Sequence, residues 1–115
     1  MKLNEIQSRL QLEIAACGER LDREVTGGYC GDLLSDVMAN AQKGSVWLTI
    51  QGHQNVVAVA VLREIAAIIL ANGRQPDEDT VKKAEEENIP ILVSPLSSFQ
   101  LTGKLFEVGI GGTMG

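Results

Sequence analysis

Four short apolar runs, separated by helix-like patterns, constrain what this chain of 115 residues can fold into more than any other feature. Leu12-Glu13-Ile14-Ala15-Ala16 has the alternation of a strand. Val46-Trp47-Leu48-Thr49-Ile50, the stretch from Ile65 to Leu70, and Ile89-Pro90-Ile91-Leu92-Val93 are apolar runs of strand length. Between them the period changes. Leu3, Ile6 and Leu10 predict a short helix over 3–10. Leu33, Leu34, Val37, Met38 and Ala41 share one face of a helix over 32–42, which Gly44 would stop. Pro76-Asp77-Glu78-Asp79 opens another helix, with acid in its first turn where the macrodipole favours it. Ser97 or Ser98 caps a last helix carrying Phe99, Leu101, Leu105 and Phe106.

Strand and helix therefore alternate along the chain. That order predicts an α/β fold, a three-layer αβα sandwich with a mostly parallel sheet of about four strands. Helices on both faces of the sheet account for strands without polar residues on either side. Val56 to Leu62 fits two readings: the second arm of a β-hairpin, or a buried helix capped by Asn55. Arg63-Glu64 has no turn chemistry to join two adjacent strands, so the helix is favoured. A helix apolar nearly all round needs more cover than one sheet face gives, which predicts a homodimer through Val56–Leu62.

The size is that of one domain, residues 1–110, with a flexible glycine-rich tail at 111–115 and fraying from Gly109. Aromatic residues are only 3% of the chain, so Val, Ile, Leu and Ala must build the core. The net charge of −5, without a basic stripe, argues against nucleic acid and against an anionic membrane surface. No apolar stretch is long enough to span a bilayer, and Met1 to Leu10 is too polar for a signal peptide. Cys17 and Cys30 are expected to be reduced thiols, which fits a cytoplasmic protein.

The motif with most content is Asp22-Arg23-Glu24-Val25-Thr26-Gly27-Gly28-Tyr29, followed by Asp32-Leu33-Leu34-Ser35-Asp36. A double glycine before a helix start could let the backbone approach a phosphate. No Gly-Lys-Ser/Thr follows it, so it is not a P-loop, and the third glycine of a dinucleotide fingerprint is missing. In a parallel sheet, ligands sit at the carboxyl ends of the strands. The glycine run, Gly52-His53-Gln54-Asn55, Asn72-Gly73 and Ser94-Pro95 are assigned to those ends. Thr26, Gly27, Gly28, Asp32, His53 and Asn55 are thus the candidate ligand-binding residues. His53, the single histidine, could act as a base only with a nucleophile and an orienting carboxylate such as Asp22 or Asp32. No catalytic set is visible. With one histidine a zinc site is not expected, and a helix start already explains Asp77, Glu78 and Asp79.

Taken in order, Asp22-Arg23, Thr26-Gly27-Gly28, Asp32-Leu33-Leu34-Ser35-Asp36-Val37-Met38 and Trp47 through Asn55 resemble the DRTGG domain family over nearly the whole chain. Glu24-Val25 stands between the Asp-Arg pair and Thr-Gly-Gly, a departure from the pentapeptide that names the family. The resemblance implies a stand-alone domain similar to the N-terminal domain of HPr kinase/phosphorylase, without its kinase domain. It also supports the helix reading of 55–64. The implied function is that of a non-catalytic regulatory module that homodimerises and could bind a small anionic metabolite or an adenine nucleotide, with no resident cofactor. The alternative it implies is an accessory subunit that binds protein partners, such as those of a redox or hydrogenase-related system, and no ligand.

Overall fold

The structure, a computed structural model, describes residues 1–111. The elements in chain order are α1 (Leu3–Leu10), β1 (Glu13–Ala16), a 3-10 turn (Gly18–Arg20), β2 (Gly27–Cys30), α2 (Leu34–Asn40), β3 (Ser45–Thr49), α3 (Asn55–Leu62), β4 (Ala67–Leu70), α4 (Glu78–Glu87), β5 (Ile91–Val93) and α5 (Ser98–Glu107). The five strands form one sheet in the order β1, β5, β4, β3, β2. β2 to β5 run parallel, and β1 pairs antiparallel with β5.

Period-two alternation sorts the strand residues between two helical layers. Val46, Leu48, Ile69 and Leu92 pack beneath α1 and α5, against Leu3, Ile6, Leu101 and Leu105. Trp47, Ile68, Leu70 and Ile91 pack beneath α2, α3 and α4, against Val37, Val56, Val57 and Ala60. Trp47 is fully buried, and its indole N–H finds the partner that burial demands by donating to the Gly31 carbonyl at 2.8 Å.

The α/β sandwich holds, with one strand more than the expected four. The added strand is β2, and it is the glycine run itself. Gly27 lies opposite Ser45 and Cys30 opposite Leu48. Glycine is depleted in strands, so a Gly-Gly pair reads locally as a turn. Its backbone is nonetheless free to extend, and pairing with β3 decides the outcome. The left-handed glycines of the described residues are Gly44, Gly73 and Gly109, none of them in β2.

Residues 55–62 are helical, as favoured, but Asn55 is not the cap. The cap position is Gln54, and the Asn55 amide donates to His53 Nδ1 at 3.2 Å. α3 lies on the sheet with α2 and α4 packed beside it, so its apolar surface finds cover within the chain; Val61 and Leu62 at its end stay exposed. Ile110 is tied in rather than frayed: its amide donates to the Leu105 carbonyl at 2.8 Å and its side chain is buried. The rest of the expected flexible tail, 112–115, lies outside the described residues.

Candidate functional site

Because β2 to β5 are parallel, their carboxyl ends share one rim of the sheet. This rim carries Gly31-Asp32, Ile50 to Gln54, Ala71 to Gly73, and Ser94-Pro95. β1 runs the other way, so the chain leaving it at Cys17 emerges at the opposite rim. Thr26 and Gly27 therefore start β2 at the amino-terminal rim. The four residues of β2, at about 3.3 Å each, hold Thr26 roughly 13 Å from the Asp32 end.

The six candidate residues thus divide. Asp32, His53 and Asn55 lie on the carboxyl rim, whereas Thr26 and Gly27 begin the edge strand and Gly28 sits inside it. Thr26 is fastened to the turn before β3: its amide donates to the Gly44 carbonyl at 2.9 Å, and its hydroxyl to the Lys43 carbonyl at 2.9 Å. Asp32 staples the β2–α2 connection to the end of β3. Its Oδ1 accepts from the buried Thr49 hydroxyl at 2.8 Å and from the Ile50 amide at 3.0 Å. The Gln51 side-chain amide donates to the Asp32 carbonyl. His53 is exposed, and its recorded bond is the one from the Asn55 amide. Neither Asp32 nor Asp22 orients it, since Asp32 is held by Thr49 and Asp22 lies in the connection before β2, at the amino-terminal rim.

Between β3 and β4 the rim is closed by backbone. A Cβ on Gly52 would lie 2.5 Å from the Gln75 carbonyl oxygen and 3.2 Å from the Pro76 Cα. The Gly52 carbonyl accepts from the Asp77 amide at 3.0 Å and the Thr80 hydroxyl at 2.6 Å. The rim loops are held mainly to one another.

Sequence reasoning noted Arg23 but gave it no role. Its guanidinium donates to the Ala66 carbonyl at 3.2 Å and the Asn88 carbonyl at 2.9 Å. It therefore ties the connection before β2 to the start of β4 and the end of α4. Tyr29 was likewise unassigned. Its hydroxyl donates to Asp36, and that bond to a carboxylate pushes the phenol up to about 12.

Among the described residues, the group with metal-ligand chemistry is Cys17 with Glu19 and Glu85, whose ligand atoms lie within 4.8 Å of one another. The Cys17 thiol donates to the Ala84 carbonyl at 3.3 Å, and Glu85 accepts from the Cys17 amide at 2.8 Å. Burial and the two carboxylates push the thiol up to about 11, so the protonated thiol is its resting form at neutral pH.

The surface beside β2 is different in kind. β2 is an edge strand, and α5 leaves part of the adjoining sheet face uncovered. The result is a trough of about 210 Å³ between β2 and α5, walled by Gly28, Val46, Leu48, Leu105, Phe106 and Ile110. Phe106 is 62% exposed at its mouth, and Phe99, two turns earlier on α5, is 90% exposed.

A family model for the DRTGG domain matches residues 5–108. The chain belongs to the DRTGG domain family. A solved structure similar to this DRTGG domain is that of the CBS and DRTGG domains of the regulatory region of Clostridium perfringens pyrophosphatase, complexed with the activator diadenosine tetraphosphate. The two share 15% identity with a TM-score of 0.67, over 89% of this chain and 44% of that one. The DRTGG domain thus spans less than half of the neighbour, and the likeness is one of fold. A comparison with curated proteins finds no match. Among the described residues, no helix is long and apolar enough to cross a membrane.

Proposed function

We propose that this DRTGG domain is a non-catalytic regulatory module that homodimerises through the β2 edge and the trough beside it. The observation that carries this is the contrast between the two sheet edges. β1 is guarded: Glu13 is exposed and the pairing is irregular between Ile14 and Ala16. Charges and bulges of this kind stop an edge from pairing with another chain. β2 reads Gly-Gly-Tyr-Cys, with no charge and no proline, next to exposed phenylalanine. In this reading Gly27 and Gly28 admit a neighbouring strand rather than a phosphate. A two-fold pairing would bury each trough against the other copy's α5, on the scale of about 800 Å² per copy that stable pairs use.

A second element of the reading is a ligand. The similar pyrophosphatase region was solved with a dinucleotide activator, which supports a small anionic metabolite or adenine nucleotide as the effector here. Asp32 would then serve the fold rather than hold the ligand, since its carboxylate already accepts from Thr49 and Ile50.

Sedimentation tests the pairing. Wild type should be dimeric at about 50 µM, and Phe106→Glu, at an exposed position, should be monomeric with an unchanged circular dichroism spectrum. A monomeric wild type at that concentration refutes the pairing, and a dimer that survives Phe106→Glu refutes this face.

A further inference from the structure

A second hollow of about 290 Å³ opens on the other flank of the molecule, at the carboxyl end of β5. It lies between the end of α1, the loop after β5 and the middle of α5. Its walls are Arg9, Leu10, Gln11, Ser94, Pro95, Leu96 and Lys104. Two of these are cations and none is an acid, in a chain with 15 acidic against 10 basic residues. Two other hollows that contain lysine or arginine are balanced. Arg23 and Lys43 share theirs with Glu24, Glu64 and Glu87, and Lys82 and Lys83 share theirs with Asp79 and Glu86. Neither Arg9 nor Lys104 forms an ion pair among the described residues. Glu5, one turn before Arg9, is drawn instead to the Lys2 amide at 3.4 Å.

Ser94 adds a fixed polar group. It is 2% exposed, and its hydroxyl accepts from the Leu96 amide at 3.1 Å. Among the described residues it donates to no acceptor, so its proton is available to a ligand oxygen. The loop holding it is braced by the exit of β4: the Gly73 amide donates to the Ser94 carbonyl and the Asn72 amide to the Leu96 carbonyl, each at 2.8 Å. Leu10, Pro95 and Leu96 provide a partly apolar floor, where a charge-assisted bond loses less to water.

We infer that Arg9, Ser94 and Lys104 form a binding site for a phosphoryl group. The guanidinium offers a two-pronged donor, the ammonium a mobile point charge and the serine a single directed proton. Donors from three separate elements suit a tetrahedral oxyanion better than a planar carboxylate. The position agrees with the general preference of open parallel sheets for ligands at the strands' carboxyl ends. The volume is ample for a phosphate or diphosphate group, and the remainder of a phosphorylated metabolite would extend over the exposed Lys104 side. This inference rests on the ligand-responsive part of the reading above and not on the pairing.

The test is an amide NMR titration of the full chain with inorganic pyrophosphate at constant ionic strength. Saturable shifts are expected at Gln11, Ser94 and Leu96, with half-saturation at or below about 5 mM. Arg9→Gln with Lys104→Gln, both at exposed positions, should weaken binding at least about tenfold while the remaining spectrum is kept, and Lys104→Arg should retain it. Arg20→Gln with Lys82→Gln removes the same charge elsewhere and should leave binding unchanged. No saturable shift up to about 20 mM overturns the site. So does binding that survives Arg9→Gln with Lys104→Gln; in that outcome a ligand-responsive domain stands with its site elsewhere. Binding lost equally in both double variants shows a charge effect and also overturns it.

Discussion

Asp32 lies in the connection between β2 and α2, and its substitution separates a structural role from a ligand-binding one. Asp32→Ala removes two hydrogen bonds to a carboxylate, from the Thr49 hydroxyl at 2.8 Å and the Ile50 amide at 3.0 Å. Bonds to charged groups contribute about 1.5–3 kcal/mol each, but the two losses differ here. The Ile50 amide lies in an exposed setting and can bond to water. Thr49 is fully buried, and its hydroxyl would lose its acceptor. A net destabilisation of about 2 kcal/mol follows, a fall in Tm of about 8 °C for a domain of this size. Thermal denaturation followed by circular dichroism measures it. Thr49→Val removes the stranded hydroxyl, so the double variant should be more stable than the sum of the single changes by about 1.5 kcal/mol. An Asp32→Ala protein within about 0.5 kcal/mol of wild type, or a coupling below that value, would refute the stapling role and return Asp32 to the ligand candidates.

The buried Ser45 hydroxyl has no hydrogen-bond partner among the described residues. Ser45→Ala should therefore raise stability by about 1 kcal/mol, roughly 4 °C in Tm, and a lower Tm would show that the hydroxyl is satisfied after all. The two thiols should react differently at neutral pH. Cys30 is exposed in the single chain and should be modified fast by a disulfide reagent in the monomeric Phe106→Glu variant, whereas buried Cys17 should react only on unfolding; two fast thiols would contradict the structure. Cys17 also predicts a pH dependence. Its folded pKa of about 11 lies above the ordinary thiol value of 9.0, so its contribution is complete below pH 9 and is lost as the pH rises towards 11. The loss reaches about 3 kcal/mol, and Cys17→Ala should flatten that part of the curve; an unchanged slope would assign the alkaline loss to other groups.

The layers of the fold were legible because their signals are local. The period of Leu3, Ile6 and Leu10, the buried runs of β3 and β4, and the Ser97 cap of α5, whose hydroxyl accepts from the Gln100 amide at 3.2 Å, need no distant partner to be read. Beta strand β2 was not legible, since a Gly-Gly-Tyr-Cys stretch becomes a strand only by pairing with residues 45–48. That miss displaced the candidate site. A glycine run that turned after β1 would put Thr26 and Asp32 at the same rim; as a parallel strand it puts them at opposite rims. The antiparallel direction of β1 was equally hidden, because β1 pairs with β5, far along the chain, and no local signal records that pairing. Arg9, Ser94 and Lys104 lie far apart in sequence, and only the packing of α1 beside α5 at the end of β5 brings them together.

These placements give the two flanks of the domain different chemistry. The rim between β3 and β4 has its polar groups turned inward, into Asp32, Thr49, Gly52 and Thr80. Surfaces left for recognition lie to either side of it, and α5 borders both. Phe106 faces the trough beside β2, while Lys104 faces the phosphoryl pocket beside α1. Both positions are exposed, and Leu101 and Leu105 anchor the helix that carries them in the core. A rigid helix that forms one wall of each surface is the kind of element through which a bound anion and a bound second copy can sense one another. Any such coupling must be reciprocal: an anion that strengthens pairing by a given factor is itself held more tightly by the pair, by the same factor. The apolar edge and the uncompensated cations thus need no catalytic group between them to make a regulatory domain.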